Sequence, residues 1–158
     1  MKRARGFVLA FLLILSLPVL AAAPSVSTGS ASNSTGTSAT LNGSANPNGA
    51  DTTAWFRYLT IHPGTCNDSF GTRVPSGAGG SALGSGTSSV AFAQAITGLT
   101  AGTTYYYCAI AQNVSGTAFG TVLTFTTPQP PSATTTASSA ITNSGATMQV
   151  DDAEFRVV

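Results

Sequence analysis

The side chains able to do chemistry are few. His62 is the single histidine, and Cys66 and Cys108 are the only two cysteines, in 158 residues. A hydrolase needs a nucleophile activated by a base. Serines abound, but no Gly-x-Ser-x-Gly precedes a helix, because no helical period occurs anywhere. A His62–Cys66 thiol pair would require reduced Cys66. His62, next to Pro63, reads as a solvated loop residue, and no catalytic residue is assigned. Two cysteines and one histidine fall short of the four ligands of a structural zinc site. Asp51 and Asp68 stand apart, so no calcium cage is visible, and Asp151, Asp152 and Glu154 read as solvated tail residues. Neither metal nor cofactor is expected. Four Asn-x-Ser/Thr sites, at Asn33, Asn42, Asn67 and Asn113, follow from composition.

A second group is aromatic. Trp55, Arg57 and Tyr106 would form a ligand or partner face if they share one side of a sheet, stacking a sugar or meeting a protein. The same residues would equally serve as a small second core beneath a long loop.

Charge excludes one class of partner. Charged residues make up 7% of the chain, where about a quarter is usual. Lys2, Arg3 and Arg5 lie at the front. Beyond residue 23 there remain Arg57, Arg73 and Arg156 against five acids, so 3 − 5 gives −2. Such a surface lacks the basic footprint that phosphate backbones require, and nucleic acid is not an expected partner.

The front of the chain has the three parts of an export signal. Lys2, Arg3 and Arg5 form a positive end, Phe7–Leu20 is apolar, and Ala21-Ala22-Ala23 supplies small residues for cleavage. Residues 1–23 are read as a signal peptide; a cut after Ala21 is the alternative, since Pro24 follows Ala23. The apolar run is short for a 30 Å span, so no stable membrane insertion is expected after cleavage. Secretion or cell-surface display follows. In an oxidising compartment an even pair of cysteines forms a disulfide by default. Cys66–Cys108 would close a loop of about 43 residues, worth on the order of 4 kcal/mol in the chain-entropy account.

The rest of the chain must position these residues. Short runs of strand formers alternate with Ser/Thr/Gly-rich turns: a first strand near Val26, then 37–45, 53–61, 87–96, 103–112 and 117–127. Asn46-Pro47-Asn48-Gly49 and Asn113–Gly116 mark turns. Residues 62–86 read as one long Gly-punctuated loop. In 117–127, Phe119, Thr121, Leu123 and Phe125 fall on one face by strict alternation. Pro128, Pro130 and Pro131 end the domain. Regular strands without helices predict an all-β two-layer Greek-key sandwich over 24–128. Leu99-Thr-Ala-Gly102-Thr103-Thr-Tyr105 reads as a tyrosine corner, a strand-initial Tyr whose hydroxyl turns back on the preceding loop. Residues 131–148 align with 24–41 at an offset of 107, with seven identities in eighteen positions. The stretch 129–158 therefore reads as a linker and the truncated start of a second module.

With these motifs in view, residues 24–128 resemble the fibronectin type III-like modules of bacterial secreted proteins. The resemblance is carried by Ser38–Gly43, Asn46–Gly49, Phe56-Arg57-Tyr58, Gly98–Tyr105, Ala111-Gln112-Asn113 and Phe125-Thr126-Thr127. Leu99, Gly102, Thr103 and Tyr105 match the family's corner, and Ala101 stands where the family usually has Pro. Tyr106-Tyr107-Cys108 also reads as the Tyr-x-Cys of immunoglobulin domains, but no partner Cys lies at 37–43. The resemblance implies an immunoglobulin-like fold in which the strands of Trp55 and Tyr106 pair. Taking Tyr105 as inward, Tyr107, Ala109 and Ala111 share its face, and with Arg57 facing out, Phe56 and Tyr58 point inward as well. Trp55, Tyr106, Cys108 and Ile110 should then meet on the outer face, with the 62–86 loop pinned over them. The expected function is a non-catalytic extracellular spacer or adhesion module from a tandem array. A carbohydrate-binding module is the alternative. The partner is unknown; extracellular proteins and glycans both fit.

Overall fold

The computed structural model describes residues 21–134. Nine strands make up the fold: β1 Ser25–Ser32, β2 Ser38–Asn46, β3 Thr52–Leu59, β4 Thr72–Val74, β5 Ser81–Gly84, β6 Val90–Thr97, β7 Thr104–Asn113, β8 Gly116–Phe119 and β9 Leu123–Thr126. They form two antiparallel sheets, one ordered β1-β2-β6, the other β4-β3-β7-β8, with β5 also on β3 and β9 also on β7. The all-β sandwich expected from the strand pattern is what the chain builds, without a helix among the described residues.

Alternation along the strands builds the core. In β2 every second residue, Ala39, Leu41, Gly43 and Ala45, is buried. Facing it across the sandwich are Ala54 and Phe56 of β3 and Tyr105, Tyr107, Ala109 and Ala111 of β7. Phe56 and Phe92 meet with ring centroids 4.9 Å apart. Small residues let the sheets close around these few large rings. A Cβ on Gly43 would lie 3.0 Å from the Phe92 ring and 3.2 Å from Ala109 Cβ.

Two expectations are corrected. The 62–86 segment is not one loop, because β4 and β5 lie within it and both add to the free edge of β3. Their three and four residues are too short to show a period in sequence. Nor is 117–127 a single alternating strand. Phe119 pairs with Ile110 and Leu123 with Tyr107, so four steps on one side oppose three on the other. This one-residue excess reverses the facing. Phe119 points outward and is 47% exposed, while Leu123 and Phe125 pack against the main core.

Gly120 sits at that irregularity, its N–H bonded to Ala109 O at 2.9 Å. Any Cβ there would collide with Thr28 Oγ1. The close approach lets buried Thr28 accept from Ala109 N–H at 3.0 Å, tying β1 to β7. Most of the signal peptide expected at 1–23 lies outside the described residues, as does 135–158, which holds most of the suspected second repeat.

Candidate functional site

The outer face of the larger sheet is set by pairing. Thr53 lies opposite Gln112, Trp55 opposite Ile110, Arg57 opposite Cys108, and Leu59 opposite Tyr106. Trp55, Cys108 and Ile110 form a second small core, completed by Cys66, Phe70 and Val122. The Cys66–Cys108 disulfide is formed, with Cα atoms 6.0 Å apart. It fastens the segment after β3 across the sheet.

That segment then feeds polar groups onto the aromatic core. Asp68 Oδ1 accepts from Trp55 Nε1 at 2.8 Å and from Arg57 Nε at 2.9 Å. Arg57 Nη1 donates to the carbonyls of Phe70 and Gly71 at 3.3 and 3.2 Å. Gly71 permits this turn: its φ is +52°, and a Cβ there would collide with Tyr58 O. Arg73 stands opposite Arg57 in the β3–β4 pair. Its guanidinium lies 4.1 Å over the Trp55 ring, a cation–π contact. Gly77 O and Gly79 O accept from Arg73 Nη1 and Nη2 at 2.6 and 2.9 Å. Its buried Nε has no partner among the described residues. Burial alone would raise the Asp68 pKa. Hydrogen bonds from Arg57 and Trp55, with the charges of Arg57 and Arg73, outweigh it and hold the carboxyl below its ordinary value.

The expected aromatic face is therefore divided and covered. Trp55 is 4% exposed, and Arg73 occupies its ring face, so no sugar can stack there without displacing Arg73. Tyr106 does not join Trp55. It stands four residues along β7, about 13 Å away, with the disulfide between. Instead it meets His62 edge to face at 4.9 Å. His62 is exposed, and its Nδ1 accepts from Gly64 N–H at 2.9 Å. The sequence offered no reason to join Asp68 and Arg73 to Trp55; the one usable signal was that Asp68 lies two residues beyond Cys66.

A shallow depression of about 450 Å³ lies beside this cluster, lined by Asp51, Thr53, Asp68, Arg73, Gln112 and Asn113 among others. Of its charged groups, Asp68 and Arg73 are already engaged. No nucleophile–base pair lines it, and no cluster of metal-ligating side chains occurs among the described residues.

At the far end of β7, Tyr105 Oη accepts the Thr100 N–H at 2.9 Å. Leu99 is buried, with its N–H on Thr37 O at 3.0 Å. Gly102 adopts φ +64° and bonds Thr127 O at 3.0 Å. Buried Thr127 donates to Thr100 O at 2.6 Å and accepts from Thr103 N–H at 3.0 Å. These four corner positions thus sit in a structural knot, away from the depression.

No protein-family model matches the chain, and no curated relative does. Among solved structures it is similar to the sensor domain of the anti-sigma factor RsgI4 in Pseudobacteroides cellulosolvens. A short form is 18% identical with a TM-score of 0.49, covering 66% of this chain and 94% of that one. The solution structure is 17% identical with a TM-score of 0.45, covering 80% and 92%. At such values the likeness carries no functional weight.

Proposed function

We propose that residues 24–128 are a non-catalytic, exported spacer or interaction module of the fibronectin type III-like kind, built to be joined in tandem. One observation carries this reading. β1 begins beside Asn46, near the end of β7 at Asn113, whereas β9 ends at Thr126 beside Thr104, where β7 begins. The termini leave opposite poles, about 30 Å apart along a ten-residue strand. Modules joined in this way extend head to tail. The 107-residue repeat offset supports the same arrangement.

Export is part of the proposal and rests on the composition of residues 1–23. Among the described residues no helix is long and apolar enough to cross a membrane. Carbohydrate binding through Trp55 and Tyr106 loses support from the buried Trp55 ring. The test of non-catalysis is turnover on a panel of ester, amide and glycoside substrates by wild type and His62→Ala. No turnover above buffer is expected from either; turnover that His62→Ala abolishes would overturn the reading.

A further inference from the structure

We infer that the chain is processed between Ala21 and Ala22, and that the new terminus remains bound to the sandwich. This rests on the export reading above. The step is a hydrolysis by a membrane signal peptidase. Water adds to the Ala21 carbonyl carbon and the C–N bond to Ala22 breaks. Ala21 leaves as a carboxylate, and the Ala22 nitrogen takes up protons to become an ammonium.

Three alanines offer small residues for this cut, and the three possible products differ in the contacts they keep with the sandwich. Ala22 N–H donates to Asn48 O at 3.2 Å. Asn113 Nδ2 donates to Ala22 O at 2.8 Å, and Asn48 Nδ2 donates to Ala23 O at 2.8 Å. Ser115 Oγ donates to Ala21 O at 2.9 Å. Ala22 and Ala23 are thus held by both asparagine side chains and one main-chain carbonyl. A cut after Ala23 discards all four bonds and leaves the Asn48 amide without this acceptor. A cut after Ala22 keeps only the bond to Ala23 O. A cut after Ala21 keeps three and loses only the Ser115 contact.

The seam is shaped for these residues. Asn48 holds φ +53°, a left-handed conformation that Asn tolerates, and it aims its amide at Ala23. Asn113 spans Ala22 O and Pro47 O with Nδ2, while its Oδ1 accepts from Ser115 and Gly116 N–H. Gly116 leaves room for Ala23, whose Cβ would be 3.2 Å from a Cβ placed there. An ammonium at exposed Ala22 keeps its charge in water and donates to the same Asn48 carbonyl, a charge-assisted bond. The Ala23–Pro24 bond is the poorest target. Pro24 is buried, and its ring crowds the preceding residue.

The test is expression of the full chain in an exporting bacterial host, with N-terminal sequencing and intact mass of the exported protein. A start at Ala22 is expected. A start at Ala23 or Pro24 overturns this inference and leaves the export reading standing; an uncleaved start at Met1 overturns the export reading itself. Two variants sharpen the result. Ala21→Leu should accumulate precursor, while Ala23→Leu should be processed as wild type; a block by Ala23→Leu overturns the assignment. Retention at the seam is read separately from melting. Protein starting at Pro24 should melt roughly 4 °C below protein starting at Ala22. Equal melting would show that the terminus is not held.

Discussion

At the scale of single residues, Asp68 governs the outer face. Its carboxylate joins Trp55 and Arg57, and these bonds hold its pKa below 3.8. A lowered folded-state pKa gives stability that is fully present above the unfolded value and is lost as pH falls through the folded one. Thermal melts from pH 7 to pH 2 should therefore lose stability below about pH 4, and Asp68→Asn should flatten that loss while melting lower at pH 7. Trp55 is the only tryptophan, so its emission reports the same event. Tyr107 shows the opposite sign. Burial raises its pKa above 10.0, against the smaller opposing effect of a backbone hydrogen bond. Its contribution is present below the unfolded value and is lost as pH rises through the folded one. At the corner, Tyr105→Phe removes the acceptor of the Thr100 N–H, at a cost of about 1–2 kcal/mol in denaturant unfolding. Which side chains face outward was legible from the corner, because a Tyr at one end of β7 sets the parity of the whole strand. The Arg73 stack on Trp55 was not, because no local pattern links a Gly-rich segment to a ring on another strand.

Among the elements, the irregularity between β8 and β9 and the clamp on the segment after β3 matter most. Gly120→Ala would push a methyl group into Thr28 and part β1 from β7, with an expected loss of about 1–3 kcal/mol by chemical denaturation. Replacing Cys66 and Cys108 together with Ala should cost about 2–5 kcal/mol and shift Trp55 emission to the red. An unshifted spectrum would mean that Asp68 and Arg73 hold the segment without the disulfide. Strand existence was readable from short β-branched and aromatic runs. Alternation breaks at Gly120, where the close approach to Thr28 has no signal in the local sequence pattern. β4 and β5 leave no sequence signal because they are defined by their partner β3, not by their own residues.

On the scale of the whole molecule, β1 starts and β9 ends at opposite ends of the sandwich. β7 spans it, the corner knot closes one pole, and the Asn48–Asn113 seam closes the other. Turn residues at 46–49 and 113–116 and the corner at 99–105 marked both poles in the sequence, but which terminus met which pole required the pairing of β1 and β9. In the proposed function these poles are the joints of an extended array. Its most direct measurement is small-angle X-ray scattering of a chain carrying residues 24–130 twice in succession. One compact copy has a radius of gyration of about 13 Å. Two copies joined pole to pole, with centres about 35 Å apart, should give about 22 Å. A value near 17 Å, that of one compact body of the same length, would contradict the account.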